Sequence, residues 1–323
     1  MLAKPMTENH SRQQGHAAQQ CHPAQESHPE QQYLDLLREL IDQGDERIDR
    51  TGVGTRAKFG HQMRFDLTEG FPVFTTKQVY WTTAFKEMLW MLAGGDNIRE
   101  LLQQGVKIWT DWPLKHYREQ NNSDISQSDF EQKILADAAF AERWGQLGPV
   151  YGSQWRRWKT ADGGEIDQVK QVIDTIKNNP TSRRIIWDGW NVAELDNMAL
   201  PPCHKHYQFY VNQNTGQLNG AMVQRSADAF LGLTWNIANL ALVTHLLARQ
   251  TGYQAGEIVW FGMDVHLYLN HIEQAQEQLS RTPKPFPQLQ IDPAVQSLFD
   301  YRIEHLTLLN YQPHTAIAAA VAV

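Results

Sequence analysis

An α+β fold is predicted for this chain of 323 residues, and three features predict it. Residues 206–211 and 217–224 read as two strands joined by turn-forming residues, a hairpin pattern. Residues 235–250 are apolar on nearly every face and stop before Gly252, as a central buried helix does. Nearer the N-terminus, a helical, a strand and a second helical segment follow one another. The length fits about two domains or one large α/β or α+β domain. A composition 41% hydrophobic, with 11 Trp, 12 Phe and 10 Tyr, suffices for a sizeable core.

In chain order, residues 1–32 are rich in Gln, His, Ser and Pro and lack apolar periodicity, so a disordered Gln/His-rich extension is expected. His10, His16, His22 and His28 recur at a spacing that matches no usual ligand pattern, and no metal is assigned. Order should begin near Tyr33 and run to residue 323. Leu34, Leu37, Leu40 and Ile41 fall at helical spacing, with Gly44 as a stop. Thr51 to Thr55 is a loop with Arg50 at its entrance, and residues 57–67 alternate as a strand does. A buried helix is expected from about Thr82 to Leu92, ended by Gly94-Gly95 and carrying Glu87. Residues 114–148 are polar and read as a variable surface insertion with one helix. Strands are expected from Ile185 onward.

The formal net charge of −7 argues against a non-specific nucleic-acid binder. Two cysteines, Cys21 and Cys203, are too few for a disulfide framework and favour a reducing compartment. The N-terminus lacks the apolar core of a secretory signal. The longest apolar stretch, residues 237–248, is interrupted by Asn239 and His245 and is too short to span a bilayer. A soluble cytoplasmic protein without a membrane partner is expected.

The hairpin carries the first chemical inference. With the turn centred near Asn214, residues whose numbers sum to about 428 lie opposite one another, and Cys203 and Arg225 satisfy that sum. A guanidinium beside a thiol favours the thiolate, the nucleophilic form. A buried structural cysteine is the competing reading, but Pro201-Pro202 and His204 flank a constrained, polar position. Arg183-Arg184, between a turn and an apolar strand, suits a phosphate through its fork-shaped donors, or else a surface salt bridge. Glu87 on an apolar helix would have a raised pKa unless paired, as suits a general acid or base. Ile108, Trp109 and Trp112 suit either an apolar wall for an aromatic ligand or core packing.

Several ordered motifs then carry a resemblance. They are Pro202-Cys203-His204 with Gln208-Phe209-Tyr210, Gln224-Arg225-Ser226-Ala227-Asp228 with Phe230-Leu231-Gly232-Leu233, and Asp264-Val265-His266-Leu267-Tyr268 with Asn270-His271. Asp49-Arg50-Thr51-Gly52, Gly148-Pro149-Val150-Tyr151-Gly152 and Ser182-Arg183-Arg184-Ile185-Ile186 join them. From about Tyr33 to Val323 the chain resembles the thymidylate synthase family. The resemblance implies a large twisted mixed β-sheet packed with helices, one sheet face forming a homodimer interface. It implies reductive methylation of dUMP to dTMP, with 5,10-methylenetetrahydrofolate as co-substrate donating carbon and hydride, and no metal.

By the same resemblance, Cys203 is the nucleophile and Glu87 transfers protons through ordered water. Tyr151 assists removal of the C5 proton, and Asn236 reads the uracil amide edge. Asp228 joins the catalytic, nucleotide and folate sets. His266 and Tyr268 hold the ribose hydroxyl. Arg50, Arg225 and Ser226 grip the phosphate, with Arg183 and Arg184 from the partner subunit. Lys77, Ile108, Trp109, Trp112, Leu231, Gly232, Trp235 and Val323 line or close the folate site. The chain departs from the family pattern at Thr110, Thr234, Trp235, the segment Trp187 to Trp190 and the terminal Ala-Val. None of these removes a group that covalent catalysis requires. A deoxycytidylate hydroxymethylase would favour an acidic side chain at the position of Asn236. An RNA-binding regulator finds little support in the acidic balance, and a Cys-His hydrolase lacks a motif for its base and oxyanion site.

Overall fold

The computed structural model describes residues 27–48 and 52–321. The helices are α1 (Gln31–Gln43), α2 (Trp81–Leu92), α3 (Ile98–Gln103), α4 (Asp111–Asn121), α5 (Gln127–Ala136), α6 (Ala138–Trp144), α7 (Tyr151–Arg156), α8 (Gln168–Asn178), α9 (Leu233–Thr251) and α10 (Ile272–Leu279). The strands are β1 (Asp45–Arg47), β2 (Thr55–Asp66), β3 (Trp158–Lys159), β4 (Glu165–Ile166), β5 (Ile186–Asp188), β6 (His204–Asn212), β7 (Gln217–Asp228), β8 (Gln254–Tyr268), β9 (Gln288–Ile291) and β10 (Leu306–Leu309).

Six strands form one mixed sheet in the order β1-β2-β8-β7-β6-β5. Only β7 and β8 run parallel; every other neighbouring pair is antiparallel. Parallel neighbours need a long crossover, and α9 supplies it between them. Thirteen of its 19 residues are buried, which is why its sequence is apolar on nearly every face. It ends where Gly252 adopts φ +81°, a left-handed conformation that a side chain disfavours. The expected α+β class is borne out, with a large mixed sheet and helices packed on it.

Helix α1 begins at Gln31, two residues before the expected start, because Glu30 is an anchor rather than part of a loose extension. The Glu30 carboxylate is fully buried and accepts from the backbone N–H and hydroxyl of both Thr75 and Thr76, at 2.6–2.9 Å. The largest departure from expectation lies in residues 114–148, which hold most of α4 and all of α5 and α6 instead of one helix. Tyr117 packs at 5.5, 5.3 and 5.0 Å from the rings of Phe130, Phe140 and Trp144, giving the segment a small aromatic core. Ser126 and Asp137 accept backbone N–H groups at the starts of α5 and α6. Helix α8 and strand β8 were not foreseen either. The expectations for residues 1–26 lie outside the described residues.

Candidate active site

The hairpin ladder places Tyr207 opposite Met222 and Asn212 opposite Gln217, a register whose numbers sum to 429. A bulge between His204 and His206 absorbs one residue, so His204 faces Gln224 and the sum becomes 428. One step further, the Arg225 N–H donates to the Cys203 carbonyl at 2.9 Å. The expected pairing of Cys203 with Arg225 is therefore present at the open end of the hairpin. The Arg225 side chain turns to the main chain beside the thiol: its Nε donates to the Pro202 carbonyl (2.9 Å) and Nη2 to that of Pro201 (2.7 Å). Its guanidinium also lies 5.3 Å from the Trp190 ring.

Parallel pairing then brings a second motif alongside. Gln224, Ser226 and Asp228 of β7 face Gly262, Asp264 and His266 of β8. Nearly 40 residues of sequence separate these partners, and α9 closes the loop between them. The result is a cleft of about 610 Å³ lined by residues of β2, β6, β7, β8, α2, α4, α7 and α9 and of the loops between them. It gathers Glu87, Trp109, Trp112, Tyr151, Cys203, Arg225, Ser226, Asp228, Gly232, Asn236, His266 and Tyr268, twelve of the residues named from sequence.

Cys203 is half-buried, and its backbone is clamped: the Tyr151 phenol oxygen accepts from the Cys203 N–H (2.7 Å) and, more distantly, from that of His204 (3.4 Å). Burial, and then the nearby Cys203, hold the Tyr151 phenol well above its usual range, so it stays protonated. Trp109 Nε1 donates to Glu87 Oε1 at 2.7 Å. Desolvation pushes the Glu87 carboxyl up to about 7, and the indole hydrogen bond opposes only part of that rise. Such a group holds and releases a proton near neutrality.

His204 is neutral, because burial depresses its pKa to about 4. It contacts Asn236 Nδ2 through Nε2 at 2.5 Å and the Tyr207 hydroxyl through Nδ1 at 3.0 Å. Asp228 Oδ1 accepts the N–H groups of Phe230 (2.9 Å) and Leu231 (3.1 Å), fixing the turn that leads into α9. Asp264 bridges Arg47 (2.7 Å) and His266 Nδ1 (3.1 Å), so the His266 ring is held from behind.

Other residues named from sequence stand elsewhere. Lys77 is buried outside the cleft lining, its amine donating to the Phe230 carbonyl and lying 3.5 Å over the Phe230 ring. Burial lowers its pKa to about 7, with Asp228 opposing. Ile108, Leu231 and Trp235 are not in the lining either; Leu231 and Trp235 pack against the core. Arg183 and Arg184 are exposed just before β5, and neither lines their own chain's cleft. Arg50 and Val323 lie outside the described residues. The cleft adds Thr55, Met91, Leu200, His204, Gln224, Asp264 and Val321, which were not assigned site roles. His204, Gln224 and Asp264 stood inside the quoted motifs, and that adjacency was the available signal. No group of three or more metal-ligating side chains occurs among the described residues, and no helix there is long and apolar enough to cross a membrane.

The class the structure defines is an α+β protein whose mixed sheet opens onto a cleft lined by polar and apolar side chains. Sequence comparison is more specific: the family described as thymidylate synthase matches residues 31–323. A thymidylate synthase of Rhodopseudomonas palustris (strain BisA53) is 54% identical over 293 residues, covering 90% of this chain and 98% of the relative. One of Rhizobium rhizogenes (strain K84) is 55% identical over 300 residues, covering 90% and 98%. One of Zymomonas mobilis is 52% identical over 293 residues, covering 90% and 99%. The chain belongs to the thymidylate synthase family.

Proposed function

We propose that this protein converts dUMP to dTMP by reductive methylation, through a covalent bond between Cys203 and C6 of the pyrimidine. Uracil C5 is a poor nucleophile until a thiolate adds at C6 and pushes electron density to C5 as an enolate. Methylenetetrahydrofolate, the co-substrate, supplies both the one-carbon unit and the hydride and leaves as dihydrofolate. The observation that carries this reading is the convergence on one cleft of Cys203, a carboxyl poised near neutrality and the Asn236 carboxamide.

Glu87 relays protons through water to the pyrimidine, and Tyr151, which clamps the Cys203 backbone, assists loss of the C5 proton. Asn236 reads the base, His266 and Tyr268 hold the ribose, and Arg50, Arg225, Ser226 and Asp228 complete the nucleotide site. Trp109, Trp112, Asp228 and Gly232 face the folate, with Ile108, Leu231, Trp235 and the C-terminal Val323 around it. Lys77 reaches the folate tail only by exchanging its Phe230 contact for the ligand.

A homodimer completes the site, with the partner's Arg183 and Arg184 on the phosphate. Their exposure supports this, as do two large side chains exposed on sheet strands, Phe59 at 83% and Tyr210 at 64%. Residues 33–323 form the catalytic domain, with 114–148 a variable elaboration, and the enzyme works in the cytoplasm. Turnover of dUMP against dCMP with methylenetetrahydrofolate tests the assignment. Preference for dUMP is expected; preference for dCMP overturns it.

A further inference from the structure

A carboxamide cannot choose between uracil and cytosine unaided. Its oxygen and nitrogen are nearly the same size, and half a turn about χ2 exchanges acceptor for donor. Something else must fix which end of Asn236 faces which way.

The structure contains a chain of contacts with that property. Trp260 is fully buried, and its Nε1 donates to Gln224 Oε1 at 2.9 Å. Indole is a donor only, so this contact admits the Gln224 oxygen and rejects its nitrogen. The Gln224 amide nitrogen is thereby turned to the Ser226 carbonyl (2.9 Å) and to Asn236 Oδ1 (3.0 Å). Asn236 must then present its oxygen toward Gln224 and its nitrogen toward His204 Nε2, at 2.5 Å. The neutral imidazole is left protonated on Nδ1, beside the Tyr207 hydroxyl. Each contact dictates the sense of the next, and the first member cannot reverse.

The backbone makes room for this arrangement. Gly262 lies opposite Gln224 in the parallel ladder, and Trp260 opposite Met222. The indole reaches Gln224 across the face of Gly262, where an added Cβ would lie 2.2 Å from the ring. Trp260 itself is not part of the cleft lining.

We propose that Trp260, without touching substrate, is the positioning residue that sets the base preference, by holding Gln224 and through it the acceptor-donor order of Asn236. The inference rests on the reading of Asn236 as the base-recognising group. Held in this sense, the amide offers an acceptor to a ring N–H and a donor to the adjacent carbonyl, the edge of uracil. Cytosine presents the inverse edge. To read it, Asn236 would have to turn its nitrogen onto the Gln224 nitrogen, and Gln224 could yield only by turning its own nitrogen onto the indole N–H. The Ser226 carbonyl is a second anchor, so losing Trp260 loosens the preference without inverting it.

The test compares equilibrium binding of dUMP and dCMP, and turnover of each with methylenetetrahydrofolate, in the full-length protein. Trp260→Phe removes the donor. Incorporation of benzothienylalanine at position 260 removes it while keeping the bicyclic shape, so a folding defect in the first variant does not end the test. Gly262→Ala displaces the indole and should act in the same direction. The dUMP-to-dCMP affinity ratio is expected to fall about tenfold or more, the scale of one buried hydrogen bond of fixed sense. Parallel weakening of both nucleotides at an unchanged ratio would show that Trp260 only supports the fold, and would overturn the proposal. If instead the unaltered protein prefers dCMP, it is the functional assignment that fails.

Discussion

At the scale of single residues, Glu87 and Trp109 form the most quantitative element of the site. Desolvation raises the Glu87 carboxyl to about 7 while the Trp109 N–H lowers it. The pH dependence of kcat/KM should therefore carry a limb near pH 7. Glu87→Gln should abolish that limb and slow turnover by about 10²–10⁴-fold, the usual share of a positioned proton-transfer group. Stability moves in a defined direction as well. The folded carboxyl binds its proton more tightly than the unfolded one, so the wild type should lose stability relative to Glu87→Gln as pH rises from about 4.5 to about 7. Trp109→Phe deletes the opposing hydrogen bond, and the limb should move to higher pH; an unchanged limb in a pH-rate profile would mean that another group titrates.

At the scale of elements, the hairpin and the two apolar helices were legible because each is encoded locally. Helix α9 differs from its expected range by two residues at the start and one at the end, and Gly252 caps it. The register estimate for β6 and β7 was one residue off along the ladder. It was right at Cys203 because the bulge near Lys205 restored the count, and no local pattern announces a bulge. Strand β8 was invisible as a partner for β7, because parallel pairing across a helix joins residues that periodicity never compares. Its absence from the reading also concealed Trp260, whose role depends on lying beside Gln224. One helix was expected within 111–144 where three stand, because aromatic residues on short, polar helices leave little periodic signal. Glu30 was missed for a similar reason: a charged residue next to a polar tract reads as solvated, yet four donors hold its carboxylate in the interior. Glu30→Ala would strand those donors and detach α1 from residues 75 and 76. A loss of about 3 kcal/mol in urea unfolding is expected, given the usual cost of charge-assisted hydrogen bonds.

For the whole molecule, the question is whether one chain completes its own site. Arg183 and Arg184 are exposed and do not line the cleft, which makes subunit complementation the natural test. Cys203→Ser and the double variant Arg183→Ala/Arg184→Ala should each be inactive alone. Dissociated, mixed in equal amounts and reassociated, they should recover about a quarter of wild-type activity, because half of the dimers are mixed and each has one complete site. No recovery, despite mixed dimers detected by native mass spectrometry, would mean that the arginines serve their own chain or none.

The central claim is that Cys203 forms a covalent bond to the pyrimidine, and peptide-level mass spectrometry reads that bond directly. After incubation with 5-fluoro-dUMP and methylenetetrahydrofolate, the peptide containing Cys203 should carry the mass of both ligands, while the peptide containing Cys21 stays unmodified. An adduct on Cys21, or unmodified Cys203 in protein that still makes dTMP, would contradict it.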